Sequence, residues 1–307
     1  MIQSASRPDR AFLTRYAWIS IAAALVTIAL KSAAYYLTGS VGLLSDAMES
    51  AVNLMGGMMA LAMLTIAVRP ADEDHAYGHS KAEYFSSGVE GALILVAALG
   101  IAFTAIPRVF HPKELDQVGM GLAVSVVASM VNLGVALLLL RVGKKHHSIT
   151  LEANAHHLLT DVWTSVGVLL GVGVVALTGW LWMDPVVALL VAANIVWTGS
   201  HIVWRSISGL MDMALPPEDL AVVREVLATF QTEDVQFHAL RTRQAGARKF
   251  VSVHVLVPGV WTVHHGHELL ERIESAVRSA LPNSSMFTHL ESLDDPASWE
   301  DQRLDRD

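Results

Sequence analysis

Six apolar stretches, each long enough to cross a lipid bilayer, run nearly end to end through residues 12–37, 42–68, 82–107, 117–141, 149–178 and 184–210. A bilayer core is about 30 Å thick and needs about 20 helical residues to cross it. Inside it every backbone N–H and C=O must find an internal partner, which helices provide. The pattern therefore predicts an α-helical membrane protein with six transmembrane helices. Charge content agrees: 16% of residues are Asp, Glu, Lys or Arg, against about 25% in soluble domains. The first stretch extends from Ala11 to Leu37. It outruns the roughly 7–15 apolar residues of a cleaved signal and is read as a true span.

Basic residues mark one side of the membrane. Arg7, Arg10 and Arg15 precede the first span, Arg69 and Lys81 lie between the second and third, and Arg141, Lys144 and Lys145 between the fourth and fifth. The opposite loops offer only Arg108 and Lys113. Basic loops stay in the cytoplasm, so both termini are expected there, in a multi-pass protein of the cell (inner) membrane. The net charge of -8 argues against a nucleic-acid partner.

Residues 1–212 thus read as a six-helix transmembrane domain, and beyond Met213 the pattern changes. "PPEDLAVVREVLATF" begins with prolines and reads as a helix. "DVQFHALRTRQAG" and "RKFVSVHVLVPG" alternate like strands around a glycine turn, "HELLERIESAVRSAL" is amphipathic, and "SSMFTHLESL" is a third strand. Helix, strand, strand, helix, strand over residues 213–293 predicts a ferredoxin-like α+β domain, on the cytoplasmic side by the basic-loop rule. The acidic tail, 294–307, is expected to be disordered.

Polar groups within the spans carry the chemistry. "ANAHHLLTDVWTSVGVLLG" places His157 and Asp161 one helical turn apart on one face. "LLSDAMESAVNLMGG" places Asp46, Glu49 and Asn53 on one face of the second span. Ionisable groups at membrane depth are costly and persist where something compensates. Facing each other, Glu49, Asn53, His157 and Asp161 offer imidazole and oxygen ligands for a divalent transition metal. The chain has no cysteine, so thiolate sites are excluded. Carboxylates and an imidazole that hold a dication also bind protons once it leaves, which is the requirement for an antiporter. No constellation of nucleophile and base is present, so no enzyme is expected.

These segments resemble the cation diffusion facilitator (CDF) family of divalent metal/proton antiporters, of zinc-transporting type. The resemblance rests on "GLLSDAMESAVNL", "HAYGHSKAEYFSS", "HHLLTDV" and "LMDMALPPE" in this order and spans nearly the whole chain. It implies a homodimer that exports zinc, or cadmium, cobalt, iron or manganese, from the cytoplasm against inward protons. His157 and Asp161 match the family's transport pair. Glu49 and Asn53 depart from it, because the family has Asp or His followed by Asp, and Asn is a neutral oxygen ligand. Asp46 is a possible auxiliary acid. The resemblance further implies a loop metal site at Asp72, His75 and His79, with a solvated polar loop as the plainer reading. A charge interlock maps to Lys81 and Asp212, where ordinary interfacial charges are the alternative. A cytoplasmic metal site maps to His238, His254, His267, His289 and Glu291.

Several residues are expected to be structural. Lys31 would snorkel to the interface, Asn132 would bond another helix, and Met48, Met55, Met58, Met59 and Met63 would face lipid or pack. His264 and His265 read as loop residues, and Glu90 has no evident partner. Two other functions stay open: a passive divalent cation channel, and a membrane-anchored metal sensor without transport. Costly ligand groups in the second and fifth spans speak against a mere anchor.

Overall fold

The computed structural model describes residues 10–67, 69–146 and 149–300. Six long helices come first: α1 (Arg10–Thr38), α2 (Val41–Ala67), α3 (Ala82–Phe110), α4 (Val118–His146), α5 (Ile149–Thr178) and α6 (Met183–Leu210). Among the described residues, five of them carry windows long and apolar enough to cross a membrane. The sixth, α2, is 27 residues long, about 40 Å at 1.5 Å per residue. Leu99 and Phe103 on α3 and Trp197 on α6 are exposed, as expected of a surface that meets lipid rather than water.

By internal contacts the chain forms two compact units. Among the described residues, one takes in those up to Met59 and Val89–Val203; the other takes in Ala60–Gly88 and those from Trp204 onward. Within the first, α4 packs against α1 and α5. Polar anchors hold the short α1–α2 turn. Gly39 adopts φ 65°, a left-handed conformation that favours glycine, and its N–H caps α1 at the Tyr35 carbonyl, 2.7 Å away. The buried carboxylate of Asp184 accepts from the N–H of Val41 at 2.8 Å and of Gly42 at 3.1 Å, and from the Ser40 hydroxyl. An anion at a helix N-terminus satisfies its free donors and its dipole.

The second unit contains α7 (Pro217–Phe230), β1 (Gln236–Ala245), β2 (Arg248–Val257), α8 (Val263–Ala280), β3 (Ser284–Ser292) and α9 (Pro296–Glu300). The sheet order is β1-β2-β3, with β1 antiparallel and β3 parallel to β2. A parallel neighbour needs a crossover, and α8 supplies it. Along β2, Val251, Val253, Val255 and Val257 point to one face and are buried with Val223 and Leu227 of α7 and Leu269, Ile273 and Val277 of α8. Period-two alternation therefore sends Ser252 and His254 to the other face.

Two local expectations differ from what is observed. α8 begins at Val263, capped by the Thr262 hydroxyl, which accepts from the His265 N–H at 3.2 Å. His264 and His265 therefore lie in its first turn rather than in a loop. Pro296–Glu300 forms the short α9 within the segment expected to be disordered. The Trp299 indole N–H there donates to the Leu293 carbonyl at 3.2 Å. Residues 301–307 of that tail, and Arg7 of the basic N-terminal cluster, lie outside the described residues.

Candidate metal sites

The α2–α5 group is partly assembled. Asn53 Nδ2 donates to Asp161 Oδ1 at 2.9 Å, which joins one candidate ligand of α2 to one of α5. Asp161 is 6% exposed. Glu49 and His157 both stand within electrostatic reach of Asp161, with Glu49 half-buried and His157 exposed. Among the described residues, Glu49, His157 and Asp161 do not form a group whose ligand atoms all lie within 4.8 Å of one another.

Lys31 does not snorkel. It is 1% exposed and donates at 2.8 Å to each of three acceptors: Asp46 Oδ1, Ser50 Oγ and Ser165 Oγ. Three N–H donors is the full capacity of an ammonium, so its burial is compensated. The Ser165 hydroxyl also donates to Asp46 Oδ1, at 2.7 Å. Asp46 is therefore the partner of a cation already present, although its Oδ2 has no hydrogen-bond partner. Asn132, expected to bond another helix, has a buried Oδ1 without a partner, as have the hydroxyls of Ser125 and Ser129 on the same helix. Glu90 lies against Gly56, where a Cβ would stand 2.7 Å from its Cγ. Met55 and Met58 are exposed, in keeping with a lipid-facing stripe.

The segment joining α2 and α3 is a loop, and a turn unites its candidate ligands. Gly78 adopts φ 81° and its N–H reaches the His75 carbonyl at 2.8 Å. Asp72 Oδ1 accepts from the His75 N–H at 2.7 Å and lies 3.1 Å from His75 Nδ1, while its Oδ2 lies 3.2 Å from His79 Nε2. The His75 and His79 rings stand 4.4 Å apart. Slight desolvation pushes the Asp72 carboxyl up. The hydrogen bonds from His75 and the nearby His79 and His75 charges outweigh it and hold the group below the usual aspartate range. His79 Nδ1 is buried without a partner.

Lys81 and Asp212 form an ion pair at 2.9 Å. Arg243, which the sequence reading passed over, joins it at 3.2 Å from Asp212. The hydrogen bond from Lys81, opposed by slight burial and aided by that from Arg243, lowers the Asp212 carboxyl. Arg243 also lies over the rings of Phe250, at 4.2 Å, and Tyr77, at 4.8 Å. Cation–π contacts thus tie the loop's Tyr77 to the sheet.

The sheet builds the tightest group. Backbone pairing aligns His238 with His254 and His254 with His289, so three imidazoles form one row across β1, β2 and β3. Glu291 follows two residues after His289 and shares its face. Its Oε2 lies 2.7 Å from His238 Nε2 and its Oε1 3.2 Å from His254 Nδ1. The side chains of His238, His254 and Glu291 are 9%, 12% and 7% exposed. His289 sits at the rim, 3.5 Å from Glu291 and 64% exposed. A β-bulge follows His238, with Ala239 at φ 48°; such bulges re-aim side chains beside functional sites. Trp299 adds a ring 5.8 Å from His238. His238 Nδ1 is buried with no hydrogen-bond partner, a donor set that fits a bound cation. Within one protomer, His267 is not brought to this group. It is exposed on α8, which covers the valine face of the sheet, whereas the imidazole row lies on the other.

Residues 17–211 match the cation efflux transmembrane domain family, and residues 215–293 match the cation efflux protein cytoplasmic domain family. The chain belongs to the cation diffusion facilitator family. It is a cation efflux transporter, not an enzyme. The uncharacterized transporter sll1263 of Synechocystis sp. is 52% identical over 285 residues, covering 93% of this chain and 92% of its own length. The cation-efflux pump FieF of Shewanella oneidensis is 30% identical over 270 residues, 88% of this chain and 90% of its own. A solved structure of the metal-bound C-terminal domain of the CzcD transporter from Thermotoga maritima is 23% identical. It covers 27% of this chain and 99% of that one, at a TM-score of 0.24.

Proposed function

We propose that this family member exports zinc from the cytoplasm in exchange for protons, as a homodimer of the inner membrane with both termini cytoplasmic. Glu49, Asn53, His157 and Asp161 take the transported ion. The direct contact between α2 and α5, in which the Asn53 amide N–H donates to the Asp161 carboxylate, supports this reading, because it brings one group from each ligand pair together inside two spans. Their donor set of oxygen and imidazole also accepts cadmium, cobalt, iron or manganese, and zinc is favoured because it readily takes four imidazole and carboxylate-type ligands in a tetrahedral site. Asp161, Glu49 and His157 are the groups that exchange a proton for the ion.

His238, His254 and Glu291, with His289 at the rim, would hold a resident ion in the cytoplasmic domain. Asp72, His75 and His79 would hold another in the loop. An ion in the sheet cluster favours dimer closure and so biases the transport cycle, and the Lys81–Asp212 pair is the charge interlock.

Zinc uptake into proteoliposomes, followed with a lumenal pH dye, tests the antiport. Zinc entry should speed up under an opposing proton gradient and should drive protons out. Equal zinc flux with the gradient collapsed would indicate a passive channel instead. No flux of any divalent ion would leave the metal-sensor alternative.

A further inference from the structure

We propose that Lys31 is a positioning residue of the transport site: its ammonium ties α1 to both ligand-bearing helices one turn away from the ligands. The inference rests on the assignment of Glu49, Asn53, His157 and Asp161 to the transported ion. Lys31 lies near the end of the first span, and its three acceptors are spaced in a way that chance packing does not require. Asp46 precedes Glu49 by three residues, Ser50 precedes Asn53 by three, and Ser165 follows Asp161 by four. Three or four residues is one helical turn, so each acceptor sits directly beside a ligand on the same helix. The three bonds, each 2.8 Å, fix the height and rotation of α2 against α5. Those are the two quantities that decide whether Glu49 and Asn53 meet His157 and Asp161.

Charge supports the same role. Asp46 would add a third carboxylate beside Glu49 and Asp161. Lys31 cancels it, which leaves a formal charge of two to match a dication. A buried ion pair of this kind contributes little net stability compared with a well-packed apolar pair. Its placement is better explained by orientation of the groups that bind the ion, as outer partners orient the ligands of metal sites generally. The Ser165 hydroxyl, donating to Asp46 while it accepts from Lys31, closes the tie between α2 and α5.

The test is the split between KM and maximal rate for zinc uptake in proteoliposomes, using the full-length protein. Ser165→Ala removes one arm of the tie and should raise KM about threefold. The charge-balanced Lys31→Met/Asp46→Leu pair, which removes the whole tie, should raise KM about tenfold or more. Native KM in Ser165→Ala overturns the proposal, and so does a lower maximal rate at native KM, which is what loss of folded protein alone produces. If the double variant does not fold, Ser165→Ala decides. Asp161→Ala is run alongside: if it transports at the native rate, the assignment of the transport site has failed rather than the role of Lys31.

Discussion

The two histidine–carboxylate groups on α5 with α2 and on the sheet use similar side chains but are built on different backbones. In the sheet, His238, His254 and His289 are cross-strand partners. Neighbouring strands lie about 4.8 Å apart, so hydrogen bonding of the backbone alone brings their imidazoles together. Ligand atoms of His238, His254 and Glu291 close to within 4.8 Å. In the bundle, each helix supplies two ligands one turn apart, and their meeting depends on how two helices pack. There Asn53 is hydrogen-bonded to Asp161, but among the described residues Glu49, His157 and Asp161 do not close into a group of that kind. Helix packing can change by small slides and rotations, whereas a strand register cannot shift by one residue without turning every side chain over. A cluster on the sheet suits an ion that stays; a cluster split between helices suits an ion that must leave.

The contrast can be broken at several points. Glu291→Ala removes the carboxylate that bridges two imidazoles and should weaken metal binding to the cytoplasmic domain about 100-fold. Competition with a chelating dye reads that change, while zinc flux in the same protein should fall by less. Asn53→Asp sharpens the other side. A third unpaired carboxylate should bind the dication more tightly and release it more slowly, lowering KM about tenfold together with the maximal rate.

Asp212→Asn tests the interlock. Its carboxyl is held below the ordinary value by Lys81 and Arg243. The stability it contributes is therefore complete above the unfolded value and is lost as pH falls through the lowered one. With half of the side chain exposed, the loss should be no more than about 1 kcal/mol. It should show as a slightly lower Tm at neutral pH, and the gap from the native protein should close in acid. His267→Ala should change neither zinc affinity nor flux, because α8 covers the opposite face of the sheet.

Much of this was legible in the sequence for reasons that can be named. Spans are set by bilayer thickness and hydropathy, and the α7-β1-β2-α8-β3 order by a switch from helical to alternating periodicity. The ligand pairs on α2 and α5 declared themselves as acids and imidazoles where hydrocarbon was expected. Tertiary partnerships were not legible. Lys31, near the end of a span, has the sequence appearance of a snorkelling residue. Only the packing of α1 against Asp46, Ser50 and Ser165 reveals a buried cation, although the turn spacing of Asp46 and Ser50 was a signal available in advance. Arg243 gave no signal, since its role depends on the loop conformation that presents Tyr77. The resemblance maps His267 to the sheet site; that α8 covers the face opposite the imidazole row within one protomer becomes visible only once Val251, Val253, Val255 and Val257 are seen to point toward it.

The most direct measurement is the initial rate of zinc uptake by proteoliposomes under a fixed proton gradient, comparing Asp161→Ala with Glu291→Ala. If the α2–α5 group moves the ion and the sheet group retains one, Asp161→Ala should lose about 100-fold or more of the rate, as expected when a buried ligand carboxylate is removed, while Glu291→Ala keeps most of it. A native rate in Asp161→Ala, or a loss as large in Glu291→Ala, would contradict that division of roles.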